Sequence, residues 1–425
     1  MARTLVICPT HDHVDTLFVS IASLQAQHDR DWRLVVICDG APPRSLQIVE
    51  ALAARDSRIG YEVFPKGEGF GEAYRDKVIR ASSEETILHL GDDDIWSAHH
   101  IATMREMLAS ADWVRQSTLA RRIDGSWDWR FANLGTAVAR AMAARGTFID
   151  SGLNDVALRR SAYEALPQGW RVPPPDYGAS DCYMWMQYMA QPQLRIGCSA
   201  AATWIKLPGR AARRDFDPIQ RTAEAAPLLA QVNQPRFLGV ARRRARLGVP
   251  VLRALDLHGA AAASRFDAAM ELCGLRIVAP DRPAEPAIDG AAMALPLTAA
   301  QEQECRFAWA TLRLLAPAGT REGLEDWRQA MAPRFADQCR AYLRELAQKQ
   351  PDLSDRLADL LAPLAGMKGP VAMARIRAAL SRGDLATATE GLHLARRNWP
   401  GAAWLAVLED EIAAAGKGRM GSGQG

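Results

Sequence analysis

Short apolar runs alternate with amphipathic stretches through the first hundred residues. Thr4-Leu-Val-Ile-Cys-Pro9 reads as a strand, followed by a helical pattern through Leu17, Ile21 and Leu24 with Asp15 near its start. Leu34-Val-Val-Ile-Cys38 is a second such run, ending at Asp39-Gly40, and Pro42-Pro43 then opens a helical pattern through Leu46, Val49 and Leu52. A third strand candidate, 59–64, runs into Lys66-Gly-Glu-Gly-Phe-Gly71. A helical stretch over 72–81 then precedes the apolar run Thr86-Ile-Leu-His-Leu90. The order βαβαβαβ predicts an α/β fold with a mainly parallel sheet, right-handed crossovers and ligands outside the carboxyl ends of the strands. Cys8-Pro9-Thr10, Asp39 and Asp92 to Asp94 all fall at such ends.

The fourth run ends in three consecutive carboxylates, Asp92-Asp93-Asp94. Like charges this close repel, and burial raises the cost, so the cluster calls for water or a cation to neutralise it. Mg²⁺ or Mn²⁺ prefers carboxylate oxygens and takes its remaining ligands from water and a substrate phosphate. One reading is therefore a metal-diphosphate site. The other is a solvated acidic turn capping a helix that begins near Ser97, with Asp94 as a favourable negative charge at its N-terminus. The residues alone leave both open.

Composition frames the rest. At 425 residues, two or three domains are expected. The 52 basic and 49 acidic residues leave a net charge of +3, which gives no general argument for nucleic acid as a partner. Seven cysteines at 8, 38, 182, 198, 273, 305 and 339 lack Cys-x-x-Cys spacing and read as reduced thiols of a cytoplasmic protein. The chain opens on a core strand without a signal-peptide pattern, and no run of 18 uncharged apolar residues predicts a membrane span.

From about Asp217 the pattern turns to Ala-, Leu- and Arg-rich helices near 218–231, 251–275 and 298–315, with several more to Ala415. A Pro-rich segment at 279–298 reads as a linker, and 416–425 as a disordered tail. Arg242-Arg-Arg-Ala-Arg246 is either a contact for anionic lipid head groups, making the protein peripheral to the inner face of the membrane, or a solvated helical stretch. Gly383-Asp-Leu-Ala-Thr-Ala388, with Leu392, Ala395 and Pro400, resembles the second helix of a tetratricopeptide unit. No second copy accompanies it, so a helical hairpin is expected, serving self-association, a protein partner or support of the first domain.

Strand-Pro-Thr-x-x, strand-x-Asp-Gly, Gly-x-Ala-x-Arg and strand-x-Asp-Asp-Asp, in this order, resemble the family 2 glycosyltransferases of GT-A fold. Ser151-Gly-Leu-Asn-Asp-Val-Ala-Leu-Arg-Arg-Ser-Ala-Tyr-Glu-Ala-Leu166 is similar to the family's strand and helix on the acceptor side, and Ala179-Ser-Asp-Cys-Tyr-Met-Trp-Met186 to its acidic acceptor-side motif. The resemblance spans residues 3–215. It implies a GT-A domain at 1–216, followed by a helical extension at 217–278, the linker, and a helical domain at 299–415. It also implies inverting transfer of a sugar from a nucleotide donor to a hydroxyl of a glycan, lipid-linked or protein acceptor, dependent on Mn²⁺ or Mg²⁺. The absence of membrane spans sets the chain apart from the family's processive membrane synthases.

Carried over residue by residue, the resemblance places Thr10 beside the nucleotide and Asp39 on its base or ribose, with Arg75 near the diphosphate. This chain reads Tyr74-Arg75-Asp76 where the family commonly has Ala-Arg-Asn. It reads Leu90-Gly91-Asp92-Asp93-Asp94 where the family has Leu-Asp-x-Asp-Asp, so the first carboxylate is missing. Asp94 is implied as the direct metal ligand, and Asp92 as a sugar or ribose contact sharing the metal. Lys206 and Arg210 are implied on a basic loop that closes over the diphosphate. Asp181 is implied as the base for the acceptor hydroxyl; its alternative is a cap on a helix over 182–189, whose Tyr183, Trp185 and Tyr188 form either a sugar-stacking wall or core.

Two other functional classes share some of these features. A nucleotidyltransferase would place a Gly-rich basic loop after the first strand, where this chain has Cys8-Pro-Thr-His-Asp12. A catalytically inactive glycan- or protein-binding module would have no need to retain Asp39, Asp92, Asp94 and Asp181.

Overall fold

The computed structural model describes residues 3–146, 152–174, 177, 179–209, 217–315, 339–363 and 366–421. The chain forms two compact units, residues 1–250 with 265–304, and residues 251–264 with 305–425.

The first unit carries fourteen strands among the described residues: β1 (Thr4–Thr10), β2 (Trp32–Asp39), β3 (Ile59–Phe64), β4 (Thr86–His89), β5 (Asp94–Trp96), β6 (Trp113–Gln116), β7 (Thr118–Arg121), β8 (Trp127–Arg130), β9 (Val156–Arg159), β10 (Ile196–Ser199), β11 (Trp204–Lys206), β12 (Leu275–Val278), β13 (Ala287–Ile288) and β14 (Met293–Pro296). Eight of them make one mixed sheet in the order β13-β10-β6-β9-β4-β1-β2-β3. The expected α/β architecture is present. β3, β2, β1 and β4 run parallel; β1, β2 and β4 are buried along almost their whole length, as helix-covered parallel strands require, whereas the edge strand β3 exposes Tyr61 and Val63.

β9 is antiparallel to both β4 and β6. That reversal matters for the site, because the residues leading into β9 reach the sheet at the carboxyl ends of its parallel neighbours. Asn154 and Asp155 therefore arrive beside the turn that follows β4. A second sheet, β5-β11-β7-β8, continues from the acidic turn, and in its register Lys206 stands opposite Asp94.

The span 279–298 is not a linker. β13 pairs antiparallel with β10 through Gly197↔Ile288 and Cys198↔Ala287, extending the main sheet, while β12 and β14 form a parallel ribbon. Asp289 closes this edge by accepting from the Ile196 N–H at 2.8 Å. Its Pro-rich composition suits an edge strand with few ladder bonds, which is why it reads as a connector. The helix expected over 251–275 is likewise divided into Gly248–Leu257, a single 3₁₀ turn at Ala260–Ala262, and Phe266–Leu272, with residues 275–278 in β12.

Helix Pro218–Gln231, capped by Asp217, carries Arg221 into the first unit. Arg221 is 1% exposed and donates to Asp15 Oδ2 at 3.0 Å and Asp93 Oδ2 at 2.5 Å. Part of the Arg242–Arg246 cluster is also committed to packing. Arg242 donates to the Pro280 carbonyl and lies over Trp129, and Arg246 pairs with Asp128, while Arg243 and Arg244 are exposed.

In the second unit, Lys368–Ser381 and Leu385–Asn398 form the expected hairpin, closed by Ala403–Gly421 over a core of Ile376, Ala379, Ala388, Leu392, Ala395, Leu405 and Leu408. The last helix thus runs to Gly421, through most of the expected tail; 422–425 lie outside the described residues. Among the described residues, no helix is long and apolar enough to cross a membrane.

Removing one partner of a buried ion pair strands the other charge. Arg221→Ala should therefore lower stability by about 3–5 kcal/mol in urea unfolding, far more than loss of an exposed arginine. A loss below about 1 kcal/mol, the scale of surface pairs, would contradict the structural role given to Arg221.

Candidate functional site

The acidic turn lies between β4 and β5, and each of its carboxylates has a different partner. Asp92 Oδ1 contacts His13 Nδ1 at 2.7 Å. Asp93 is held by Arg221. Asp94 is 3% exposed and is the most constrained: Oδ2 accepts from Asn154 Nδ2 at 2.6 Å, and Oδ1 accepts from the Leu207 N–H at 3.1 Å. The backbone N–H of Asp94 donates to Ser20 Oγ at 3.1 Å, so helix Leu17–Gln25 fixes the start of β5. Asp94 is a strand residue in a buried setting, which excludes the solvated-cap reading; the following helix starts only at His100. Burial, with the charges of Asp93 and Asp92, pushes its carboxyl up to about 7 despite Lys206 and the Leu207 N–H. In return Asp94 raises the Lys206 ammonium above its usual range. Lys206 belongs to β11 and faces the acidic turn from that strand, whereas the sequence suggested a loop. Arg210 lies outside the described residues.

Asp39 closes β2. Its Oδ1 accepts from the Gly67 N–H and its Oδ2 from Lys66 Nζ, both at 2.6 Å, and Lys66 also donates to the carbonyls of Gly67 and Gly69. These bonds draw the Gly-rich segment over the end of β2. A side chain at Gly40 is excluded, because its φ is +62° and a Cβ would lie 2.6 Å from Lys66 Cβ. Thr10, at the end of β1, is buried with no hydrogen-bond partner for its hydroxyl among the described residues.

Helix Glu72–Arg80 begins at Gly71 and turns Arg75 inward. Arg75 is 4% exposed, donates through Nη2 to the Phe70 carbonyl at 2.9 Å, and lies over the Trp170 ring. Its Nε and Nη1 have no partner among the described residues. Burial draws this guanidinium below its usual range, opposed by the charges of Glu72, Asp181, Asp39 and Asp92. A buried cation with two idle N–H groups among four carboxylates is suited to a bidentate anion such as a diphosphate. Asp76, where the family has an amide, turns away to Arg80 and the Tyr163 hydroxyl.

On the acceptor side, Asp181 is the second residue of helix Ser180–Met189, whose N-cap is Ala179. It therefore does not cap the helix, although its Oδ1 accepts from the Cys182 N–H at 2.8 Å. Burial raises its carboxyl above the usual range against that bond and the charges of Arg75 and Lys206. Arg75 thus feels the charges of Asp39 and Asp92 as well as that of Asp181. Trp185 and Tyr188 are fully buried and belong to the core, while Tyr183 is half-buried against Tyr177. Trp185 packs near His89, whose imidazole burial and Arg75 hold neutral, with its value lowered to about 3.

The donor chemistry fits a divalent cation in a limited sense. No group of three or more His, Cys, Asp or Glu side chains is placed to hold one among the described residues. Two carboxylates completed by phosphate and water oxygens are nevertheless a usual Mg²⁺ or Mn²⁺ arrangement, and each oxygen of Asp94 keeps a second lone pair. A carboxylate whose ionisation the fold resists gains from a cation more than a solvated one does. Sequence reasoning singled out neither Asn154, Glu72, Arg221 nor Lys66. Lys66, Glu72 and Asn154 sit in quoted motifs without being assigned a role, and the signal for Asn154 was a polar Asn-Asp pair directly before an apolar strand.

Residues 5–163 match the family model described as Glycosyl transferase family 2. Thr10, Asp39, Arg75, Asp92 and Asp94 lie inside that span, Asp181 and Lys206 beyond it. No curated protein matches the chain. Among solved structures, S. aureus TarS 1-349 in complex with UDP-GlcNAc is similar at 12% identity and a TM-score of 0.40, covering 94% of this chain and 93% of that one. The mannosyltransferase PcManGT from Pyrobaculum calidifontis in complex with GDP-Man and Mn²⁺ is similar at 17% identity and a TM-score of 0.36, covering 64% and 78%. Likenesses at these scores carry no argument about mechanism.

Because the fold raises the Asp94 carboxyl from 3.8 to about 7, it favours the protonated form. That contribution to stability is complete below the unfolded value and is lost as pH rises through about 7. Without divalent cations, the melting temperature of the wild type should therefore fall between pH 5 and pH 8, and Asp94→Asn should flatten the slope. An unchanged slope in the variant would show that Asp94 is already ionised at pH 5.

Proposed function

We propose that this chain, whose N-terminal domain is a family 2 glycosyltransferase domain, moves a sugar from a nucleoside-diphosphate donor to an acceptor hydroxyl with inversion. The carrying observation is Arg75: a buried guanidinium with two unpartnered nitrogens, within reach of the charges of the acidic turn, Asp39 and Asp181. Its idle N–H groups would take the diphosphate. Asp39 and Thr10 would line the nucleotide, with Lys66 exchanging part of its bond to Asp39 for the nucleotide's own donors. Asp94 and Asp92 would hold Mn²⁺ or Mg²⁺, which when bound offsets the charge of the leaving diphosphate. Lys206, exposed beside Asp94, would add a further positive charge there.

Asp181 would work on the opposite side. Its raised carboxyl makes it a stronger base than a solvated aspartate once ionised, and it would accept the proton of the attacking hydroxyl as the new C–O bond forms. Nearby Arg75 and Lys206 favour its ionised form. The acceptor, whether glycan, lipid-linked or protein, would enter from the side of the helix that follows. The exposed Arg243 and Arg244 would suit anionic lipid, and the helices of the second unit a protein partner or a second copy.

A panel of nucleotide sugars, screened with Mn²⁺ for release of nucleoside diphosphate, should yield one preferred donor. With that donor, Asp181→Asn should lower single-turnover transfer by roughly 10²- to 10⁴-fold while donor affinity stays near wild type. Near-normal transfer by this variant would remove Asp181 from the mechanism, and release of pyrophosphate from a nucleoside triphosphate and a sugar 1-phosphate, with no nucleoside diphosphate released from any nucleotide sugar, would identify a nucleotidyltransferase.

A further inference from the structure

The acidic turn lacks the first carboxylate of the motif it resembles, and the space where that side chain would begin is occupied. Gly91 stands at the missing position. A Cβ built there would lie 2.8 Å from Asp94 Oδ2 and 2.9 Å from Asn154 Nδ2, closer than real contacts allow. Neither atom can easily move. Asn154 is 3% exposed, and three bonds hold its amide: Oδ1 accepts from the Gly91 N–H at 2.9 Å and from Trp96 Nε1 at 3.0 Å, and Nδ2 donates to Asp94 Oδ2 at 2.6 Å. One amide thus ties both ends of the turn, residues 91 and 96, to the carboxylate between them.

We propose that Asn154 is the positioning residue of the acidic turn, and that it and Gly91 act as one unit which replaces a carboxylate with a neutral amide. The exchange has a chemical logic. A fourth carboxylate would add to the repulsion among Asp92, Asp93 and Asp94, whereas an N–H directed at Asp94 stabilises its anion and fixes its rotamer. The amide reaches the turn only because β9 runs antiparallel between β4 and β6, which brings the residue two places before Val156 to the carboxyl end of β4. The inference rests on the reading of Asp94 as a cation ligand only for its functional consequence; the packing consequence stands alone.

Two variants separate support of the fold from positioning of Asp94. Asn154→Ala removes all three bonds. Asn154→Asp keeps the two acceptor bonds from Gly91 and Trp96 and replaces only the donor to Asp94. Urea midpoints should show Gly91→Ala and Asn154→Ala to be strongly non-additive, the double variant losing less than the sum of the singles, because trimming Asn154 relieves the clash made at position 91. In Mn²⁺ titrations by electron paramagnetic resonance, with UDP, GDP and ADP each present in turn, Asn154→Asp should weaken cation binding at least tenfold with its urea midpoint closer to wild type than that of Asn154→Ala. Wild-type Mn²⁺ affinity in Asn154→Asp, alongside its loss in Asp94→Ala, would overturn the positioning role. If Asp94→Ala itself leaves Mn²⁺ binding unchanged, the cation reading of the site falls and the urea cycle decides: additive losses would overturn the unit, and non-additive ones would support it.

Discussion

Mutual repulsion among three adjacent carboxylates is the constraint around which the first unit is organised. At separations of a few ångströms, unit charges cost about 4 kcal/mol per pair even at an intermediate effective dielectric of 20. The fold answers each charge separately. His13 comes from the loop after β1, Arg221 from the helix that follows the second sheet, and Asn154 from the approach to β9, with Lys206 and the Leu207 N–H at the end of β11. These groups span residues 13–221, so closing the acidic turn requires nearly the whole first unit to be in place. The helix Pro218–Gln231 is thereby tied to the same turn.

The same requirement separates what was legible in the sequence from what was not. The β1, β2 and β4 runs were readable because parallel, doubly buried strands leave continuous apolar sequence. The ends of these strands located Thr10, Asp39 and the acidic turn. Arg75 was singled out only through the resemblance of Gly71-Glu-Ala-Tyr-Arg75 to a family motif. Edge strand β13 was not readable, since two paired residues amid prolines leave no periodic signal. The sequence assigned no role to Arg221 or Lys66; only the fold shows that one is buried between Asp15 and Asp93 and the other bonds Asp39. Asn154 acts through contacts 60 residues away in sequence, and no local pattern records such a contact.

Electrostatics links the carboxylates of the site. Asp39, Asp92 and Asp94 lie where the parallel strands end, Asp181 lies on a separate helix, and the charge of Arg75 interacts with Asp39, Asp92 and Asp181. An anion placed on the idle N–H groups of Arg75 would neutralise a guanidinium that burial has already made costly to keep charged.

The most direct test is calorimetric titration of the wild-type protein with the nucleoside diphosphates UDP, GDP and ADP, with and without Mn²⁺, and of Mn²⁺ with and without each nucleotide. If the acidic turn and Arg75 form one diphosphate-cation site, at least one nucleotide should bind more tightly with Mn²⁺. The cation should gain affinity by the same factor in return, as linkage requires, and Asp94→Ala should remove the coupling in both directions. Full-affinity nucleotide binding that is indifferent to Mn²⁺, in wild type and variant alike, would contradict the account.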